Sequence, residues 1–182
     1  MANRENTAET SNRAAVLVIF IKKEIPLLVL TKRSNNLLDH SGEISFPGGS
    51  YEEGDRDILD TAFRETFEEI GLERQYIKIC CRLKDEISFK GKIVTPFIGI
   101  VQEGINKDHF NVSEDEVEKL LCVPIYIFQN NKYFWSEKWI RRERPIGMYF
   151  YKYSPYVIWG MTGRIIYKLF NKEFKKIRGY IC

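Results

Sequence analysis

The chain has 182 residues, 44% of them hydrophobic and 29% charged, which is room for one domain with a full core and little space for a second. A net charge of +3 is too small to make nucleic acid the main partner, although a local basic patch can still receive an anionic substrate. No run of about 18 or more apolar residues is present, so no membrane-spanning helix is expected.

The first dozen residues, MANRENTAETSN, are polar and lack the apolar middle of a secretory signal. Residues 1–12 therefore read as a loose tail and 13–182 as a single domain of a cytoplasmic protein. Residues 14–21 (AAVLVIFI) and 26–31 (PLLVLT) are short apolar runs parted by Lys22, Lys23 and Glu24, which predicts two strands joined by a tight turn. A polar connection containing His40 leads into SFPGGSYEEGD, a loop punctuated by Pro47, Gly48, Gly49 and Gly54.

Residues 57–70 read as a helix, with Asp55 or Asp57 as cap and Gly71 as a left-handed stop. Tyr76–Leu83 and Ile93–Val101 look like further strands. Ser113 to Leu121 has the signature of a short helix, with Glu116 at the capping-box position. A last helix is expected from near Pro155 to about Phe170, weakened locally by Gly160 and Gly163. Strands and helices interleaved with short connections predict an α/β layered domain with a mixed sheet. Cys80, Cys81, Cys122 and Cys182 fit no zinc spacing, and the adjacent pair should point to opposite faces of its strand.

The helix 57–70 carries the chemistry. At helical spacing, Leu59, Ala62, Phe63, Phe67 and Ile70 form one apolar stripe, while Glu65, Glu68 and Glu69 are neighbours on another face. Three carboxylates that close repel one another, and they lie near a helix C-terminus, where the macrodipole disfavours negative charge. A hard divalent cation with oxygen ligands resolves both conflicts. Arg64, four residues before Glu68, is placed to orient that carboxylate, and the Gly48–Gly49 turn just upstream can bring backbone groups to the same cation or to a phosphate.

Residues 49–72, GSYEEGDRDILDTAFRETFEEIGL, resemble the Nudix box: Gly, five residues, Glu, seven residues, then Arg-Glu-apolar-x-Glu-Glu-x-Gly-apolar. The second half fits from Arg64 to Leu72, with Thr66 at the aliphatic position. In the first half the box glutamate becomes Asp55, and eight residues rather than seven precede Arg64. The segment LTKRSNNLLDHSGEISFPGG (30–49) is similar to the upstream signature of the coenzyme A diphosphatase branch, as are Glu116-Val117 with Val123-Pro124-Ile125 and the later run Ile158–Gly163. Leu38 stands where that signature has an arginine, and Glu43 where glutamine is common.

The resemblance implies a Nudix-type α/β/α sandwich with a mixed sheet, and a Mg²⁺- or Mn²⁺-dependent hydrolase that splits a nucleoside diphosphate linked to another moiety. Coenzyme A or a derivative would be the substrate. It implies Glu65, Glu69, Glu68 and the Gly49 or Gly48 carbonyl as metal ligands. Arg64, Glu65, Glu68 and Glu116 are the implied catalytic residues, with Glu116 as candidate general base. Arg33, Lys32, Gly48 and Phe46 are the implied substrate-binding residues. A small-molecule nucleotide is the expected partner and a homodimer the expected assembly. Other readings are a Nudix hydrolase of ADP-ribose, NADH or dinucleoside polyphosphates, an isopentenyl diphosphate isomerase-like enzyme, and a non-catalytic nucleotide-binding module. The intact carboxylate set argues against the last two.

Overall fold

Strand β1 (Arg13–Ile21) is the axis of the molecule, because nearly every residue in it is buried whichever way its side chain points. The computed structural model describes residues 12–34, 42–101, 104–105, 109–141 and 143–181. Residues 1–11 of the polar tail, Leu38, His40 and Cys182 lie outside the described residues.

β1 pairs antiparallel with β2 (Leu27–Arg33) and β4 (Gly48–Ser50), and parallel with β7 (Ile93–Val101) along its whole length. β3 (Ile44–Ser45) and β8 (Val117–Pro124) flank β2, while β5 (Ile77–Arg82) and β6 (Glu86–Ile87) flank β7. The mixed sheet expected from sequence is thus present. β1 alternates with period two: Ala15, Leu17, Ile19 and Ile21 share one core cluster with Ala62, Phe63 and Ile70, whereas Val18 and Phe20 share another with Ile165, Ile166, Leu169 and Phe174. A strand covered on both faces reads as an unbroken apolar run, as AAVLVIFI does.

The first of these layers is helix α1 (Ile58–Ile70). Asp57 caps it, accepting from the Leu59 and Asp60 amides at 2.9 and 2.8 Å. Gly71 ends it in the left-handed region (φ 66°), its N–H donating to the Phe67 carbonyl at 2.8 Å. Each fully buried Phe63- or Ile70-sized side chain contributes about 1.5–3 kcal/mol to holding α1 on the sheet. Phe67 departs from the expected stripe and is 55% exposed. The helix is rolled toward its other flank, burying Thr66 and Glu69, and the Thr66 hydroxyl is satisfied by the Ala62 carbonyl at 2.7 Å.

Three further expectations are corrected. The segment expected as helix 113–121 is a turn followed by β8, whose backbone pairs with β2 from Leu27↔Pro124 to Arg33↔Val117. Local capping signals lose there to a ladder that satisfies the outer edge of β2. The last helix begins later and runs further than expected. Tyr156–Ile158 form β11 against β10 (Arg144–Tyr153), then come α3 (Gly160–Lys168), a π-helical turn over Leu169–Glu173 and a final helix (Phe174–Ile181). Finally, a bulge between Ile79 and Cys81 lets Cys80 and Cys81 both pack against the core on the α3 side, rather than on opposite faces.

The region between β8 and α3 holds a single helical turn, α2 (Tyr126–Gln129), and the long hairpin of β9 (Phe134–Arg141) and β10, which with β11 makes a second, antiparallel sheet. Lys138 and Arg141 lie on β9 and Arg144 on β10, with Arg142 outside the described residues.

Gly71→Ala tests the α1 terminus. The left-handed conformation costs about 1–2 kcal/mol for a non-glycine residue, and the new Cβ would lie 2.7 Å from Asn111 backbone atoms. A denaturant titration should show a loss of about 2 kcal/mol or more. An unchanged midpoint would mean that the 109–113 segment yields freely.

Candidate active site

Strand β4 brings glycine backbone against the carboxylates of α1. It pairs with β1 through Ala15↔Gly49 and Val16↔Gly48. A Cβ on Gly49 would stand 2.4 Å from the Glu65 carboxyl carbon, so only glycine leaves that carboxylate its place. The Gly48 N–H donates to Glu69 Oε2 at 3.3 Å, and Arg33 Nη1, from the end of β2, donates to Glu69 Oε1 at 3.3 Å.

The three glutamates of the cluster part company. The side chains of Glu69 and Glu65 are 2% and 15% exposed, whereas that of Glu68 is 47% exposed. Burial pushes the Glu69 carboxyl up to about 8, with the charges of Glu65 and Glu116 adding to the rise and Arg33 and the Gly48 N–H opposing it. Burial raises Glu65 as well, against the pull of Arg64.

Arg64 is the fixed post of the site. Its Nε and Nη2 grip both oxygens of Asp55 at 2.8 and 3.1 Å, and Nη2 also donates to the Ser50 carbonyl at 3.0 Å. Nη1 reaches Glu65 Oε1 at 3.1 Å and Glu68 Oε2 at 2.9 Å. Asp55 is buried and also accepts from Thr61 Oγ1 at 2.7 Å and the Glu52 N–H at 3.0 Å. Arg64, foremost, holds its carboxyl below the usual aspartate range. The shorter side chain and extra residue noted in the sequence thus still deliver a bidentate partner to Arg64.

Glu116 is brought toward the cluster by the segment that wraps the end of α1. The Asn111 and Ser113 amides take the otherwise unpaired carbonyls of Ile70 and Glu69 at 2.9 and 3.0 Å, and the Glu116 carbonyl accepts from the Ser34 amide at 2.8 Å. Its charge is felt by both Glu65 and Glu69. Lys32, by contrast, is paired with Glu118 at 2.5 Å. Phe46 is 2% exposed within the core on the α3 side, so its side chain has almost no surface to offer a ligand. Sequence reasoning missed the Arg33–Glu69 contact, which the neighbouring ends of β2 and α1 create without any local signal.

Among the described residues, no group of three His, Cys, Asp or Glu side chains is arranged to hold a metal ion as it stands. The donors nevertheless suit a hard divalent cation. Glu65 and Glu69 offer carboxylate oxygens one turn apart, both with carboxyls raised chiefly by burial, and beside a glycine strand that a Cβ would close off.

A family model described as the NUDIX domain matches residues 11–141. The chain is 35% identical over 162 residues to the Nudix hydrolase NudL of Photorhabdus laumondii, covering 89% of this chain and 85% of that protein. It is 34% identical over 177 residues to the chloroplastic Nudix hydrolase 22 of Arabidopsis thaliana, covering 93% of this chain and 58% of that one. Among solved structures, a MutT/nudix family protein from Enterococcus faecalis aligns with a TM-score of 0.56 at 13% identity, over 91% of this chain and 62% of that chain. A C. elegans Ap4A hydrolase in a binary complex aligns with a TM-score of 0.52 at 22% identity, over 62% of this chain and 80% of that chain. At these identities the structural likeness concerns the fold alone.

Glu69 holds its proton in the folded chain up to about pH 8, where an ordinary glutamate releases it near 4.5. Between those values folding takes up a proton, so the metal-free protein should lose stability as pH rises through that window. Melting temperatures taken across it should show the decline, and Glu69→Gln should flatten it. The same slope in both proteins would remove Glu69 as its source.

Proposed function

The chain belongs to the Nudix hydrolase family, and from that premise we propose that it is a Mg²⁺- or Mn²⁺-dependent pyrophosphohydrolase whose substrate is coenzyme A or a derivative of it. The observation that carries the reading is the largely buried pair Glu65 and Glu69, set against the glycines of β4 and both acted on by the charge of Glu116. Glu65 and Glu69 would hold the cation. A bound divalent ion would offset the charge of the diphosphate and acidify a water molecule.

The chain's own residues do the rest. Arg64, locked by Asp55, keeps Glu65 from swinging away from Gly49 and holds Glu68 at the rim. The Glu116 carboxylate takes the proton from the attacking water as its oxygen bonds to phosphorus. The bridging P–O bond of the anhydride breaks, and the leaving phosphate departs with that oxygen. For coenzyme A the products are 3′,5′-ADP and phosphopantetheine.

The upstream likeness over 30–49 supports coenzyme A, and Arg33, within that segment, stands at the carboxylate cluster. Leu38, where the likeness has an arginine, lies outside the described residues. ADP-ribose, NADH and diadenosine polyphosphates are the alternatives that the same chemistry admits.

Chromatography of products formed with Mg²⁺ or Mn²⁺ from these substrates side by side tests the reading. Release of 3′,5′-ADP from coenzyme A in preference to cleavage of the others is the expected result, while cleavage of another substrate would keep the hydrolase and discard coenzyme A. Glu65→Gln should cut turnover by about a hundredfold or more with the fold intact. Near-normal turnover in that variant would sink the metal assignment.

A further inference from the structure

A cavity of about 400 Å³ starts at Gly48, Gly49 and Arg33 and continues between the β6–β7 turn and the beginning of α3. Its size is that of a small-molecule site. Its lining includes the cations Arg33, Lys90, Lys92 and Arg164 together with the carboxylate of Glu43. Arg33 is already engaged with Glu69 at the catalytic end. A diphosphate seated at Gly48–Gly49 accounts for that end, and the charge on the β6–β7 turn lies beyond it.

The turn is built to hold its lysines in place. Lys92 Nζ bonds Ser50 Oγ at 2.6 Å, which sets one ammonium directly beside β4 with only one of its three donors used in that bond. The Lys92 and Ser88 backbones close the turn, and Arg164 ties it to α3 through the Ile87 carbonyl at 2.7 Å and Glu86 at 2.9 Å. The apolar walls are equally fixed. Trp159 lies parallel to Phe150 at 6.3 Å and against Trp139 at 6.2 Å, so the β9–β10 hairpin braces it. The Phe89 ring is backed by the Arg141 guanidinium at 4.4 Å. Both Trp159 and Phe89 keep exposed surface on the cavity. Flat apolar surface beside the lysine ammonium groups of the turn suits a nucleoside that carries its own phosphate.

We propose that this cavity is a second subsite, with Lys90 and Lys92 receiving a phosphomonoester on the nucleoside and Phe89 and Trp159 walling the base. The enzyme would thereby select substrates with a ribose phosphate in addition to the diphosphate. The inference rests on the hydrolase reading for its place in the reaction, but binding tests it separately.

Titration calorimetry of the full chain with 3′,5′-ADP, 2′,5′-ADP and 5′-AMP makes that separation, since none of the three contains the anhydride. One of the doubly phosphorylated ligands should bind about tenfold or more tightly than 5′-AMP, the size of one good charge-assisted contact. The favoured isomer identifies the ribose position. This advantage should shrink with added salt and approach unity in Lys90→Ala/Lys92→Ala, with Lys92→Arg restoring it over Lys92→Ala. Thermal melts confirm folding, and the single Lys90→Ala serves if the double variant does not fold. Equal affinities in the wild type, or an advantage that survives loss of the lysines, would overturn the subsite. Hydrolysis of coenzyme A and dephospho-coenzyme A at equal kcat/KM would do the same. Phosphate-dependent binding without hydrolysis of any diphosphate would support the subsite and overturn the hydrolase reading instead.

Discussion

Two carboxylates pressed against a glycine strand set the terms for everything near them. Glu65 and Glu69 are one helical turn apart, largely out of water, and share their surroundings with Glu116. Withdrawing a carboxylate from solvent without full compensation costs several kcal/mol. The chain meets this partly with Arg33 and Arg64 and partly by raising the affinity of Glu69 for its proton. The result is a site that welcomes positive charge. The glycines of β4 are a condition of that arrangement, because a side chain at Gly49 would occupy the space of the Glu65 carboxyl group.

The clasp between Arg64 and Asp55 connects this electrostatic tension to the fold. Asp55 sits in the loop that enters α1, is fixed by Thr61 and the Glu52 amide, and holds Arg64 with both oxygens. Arg64 in turn holds the carbonyl of Ser50 on β4. Loop, helix and glycine strand are thereby joined at one guanidinium, a geometry that lysine could not reproduce. The wrap of residues 111–116 does the same at the other end of α1, using the unpaired carbonyls of the helix terminus as anchor points.

Farther out, the second sheet and the long C-terminal helical run serve the site indirectly. The core cluster beneath α3 secures one face of β1, and the hairpin aromatics fix Trp159 where the cavity opens. An α/β/α sandwich thus sets its carboxylate cluster beside β4 on the central strand β1, with a basic, aromatic-walled space continuous with it.

The strands β1, β2, β5 and β7, the helix α1 with Asp55 or Asp57 to cap it and Gly71 to end it, and the grouping of Arg64 with three glutamates were legible in the sequence because each depends on local periodicity, capping or spacing. The sequence also showed that Glu65, Glu68 and Glu69 conflict electrostatically. It could not say which of them turn inward, since apolar stripes define a helix's buried face only broadly, and the roll of α1 left Phe67 in water and Glu69 in the interior. Residues 113–121 carried helix signals but became β8, because pairing with β2 satisfies a whole row of backbone groups at once. The meeting of Arg33 with Glu69, and of the β6–β7 turn with α3, joins residues far apart in the chain. Only the tertiary structure decides such contacts, because their spacing in space follows from sheet order and helix packing rather than from any pattern along the sequence.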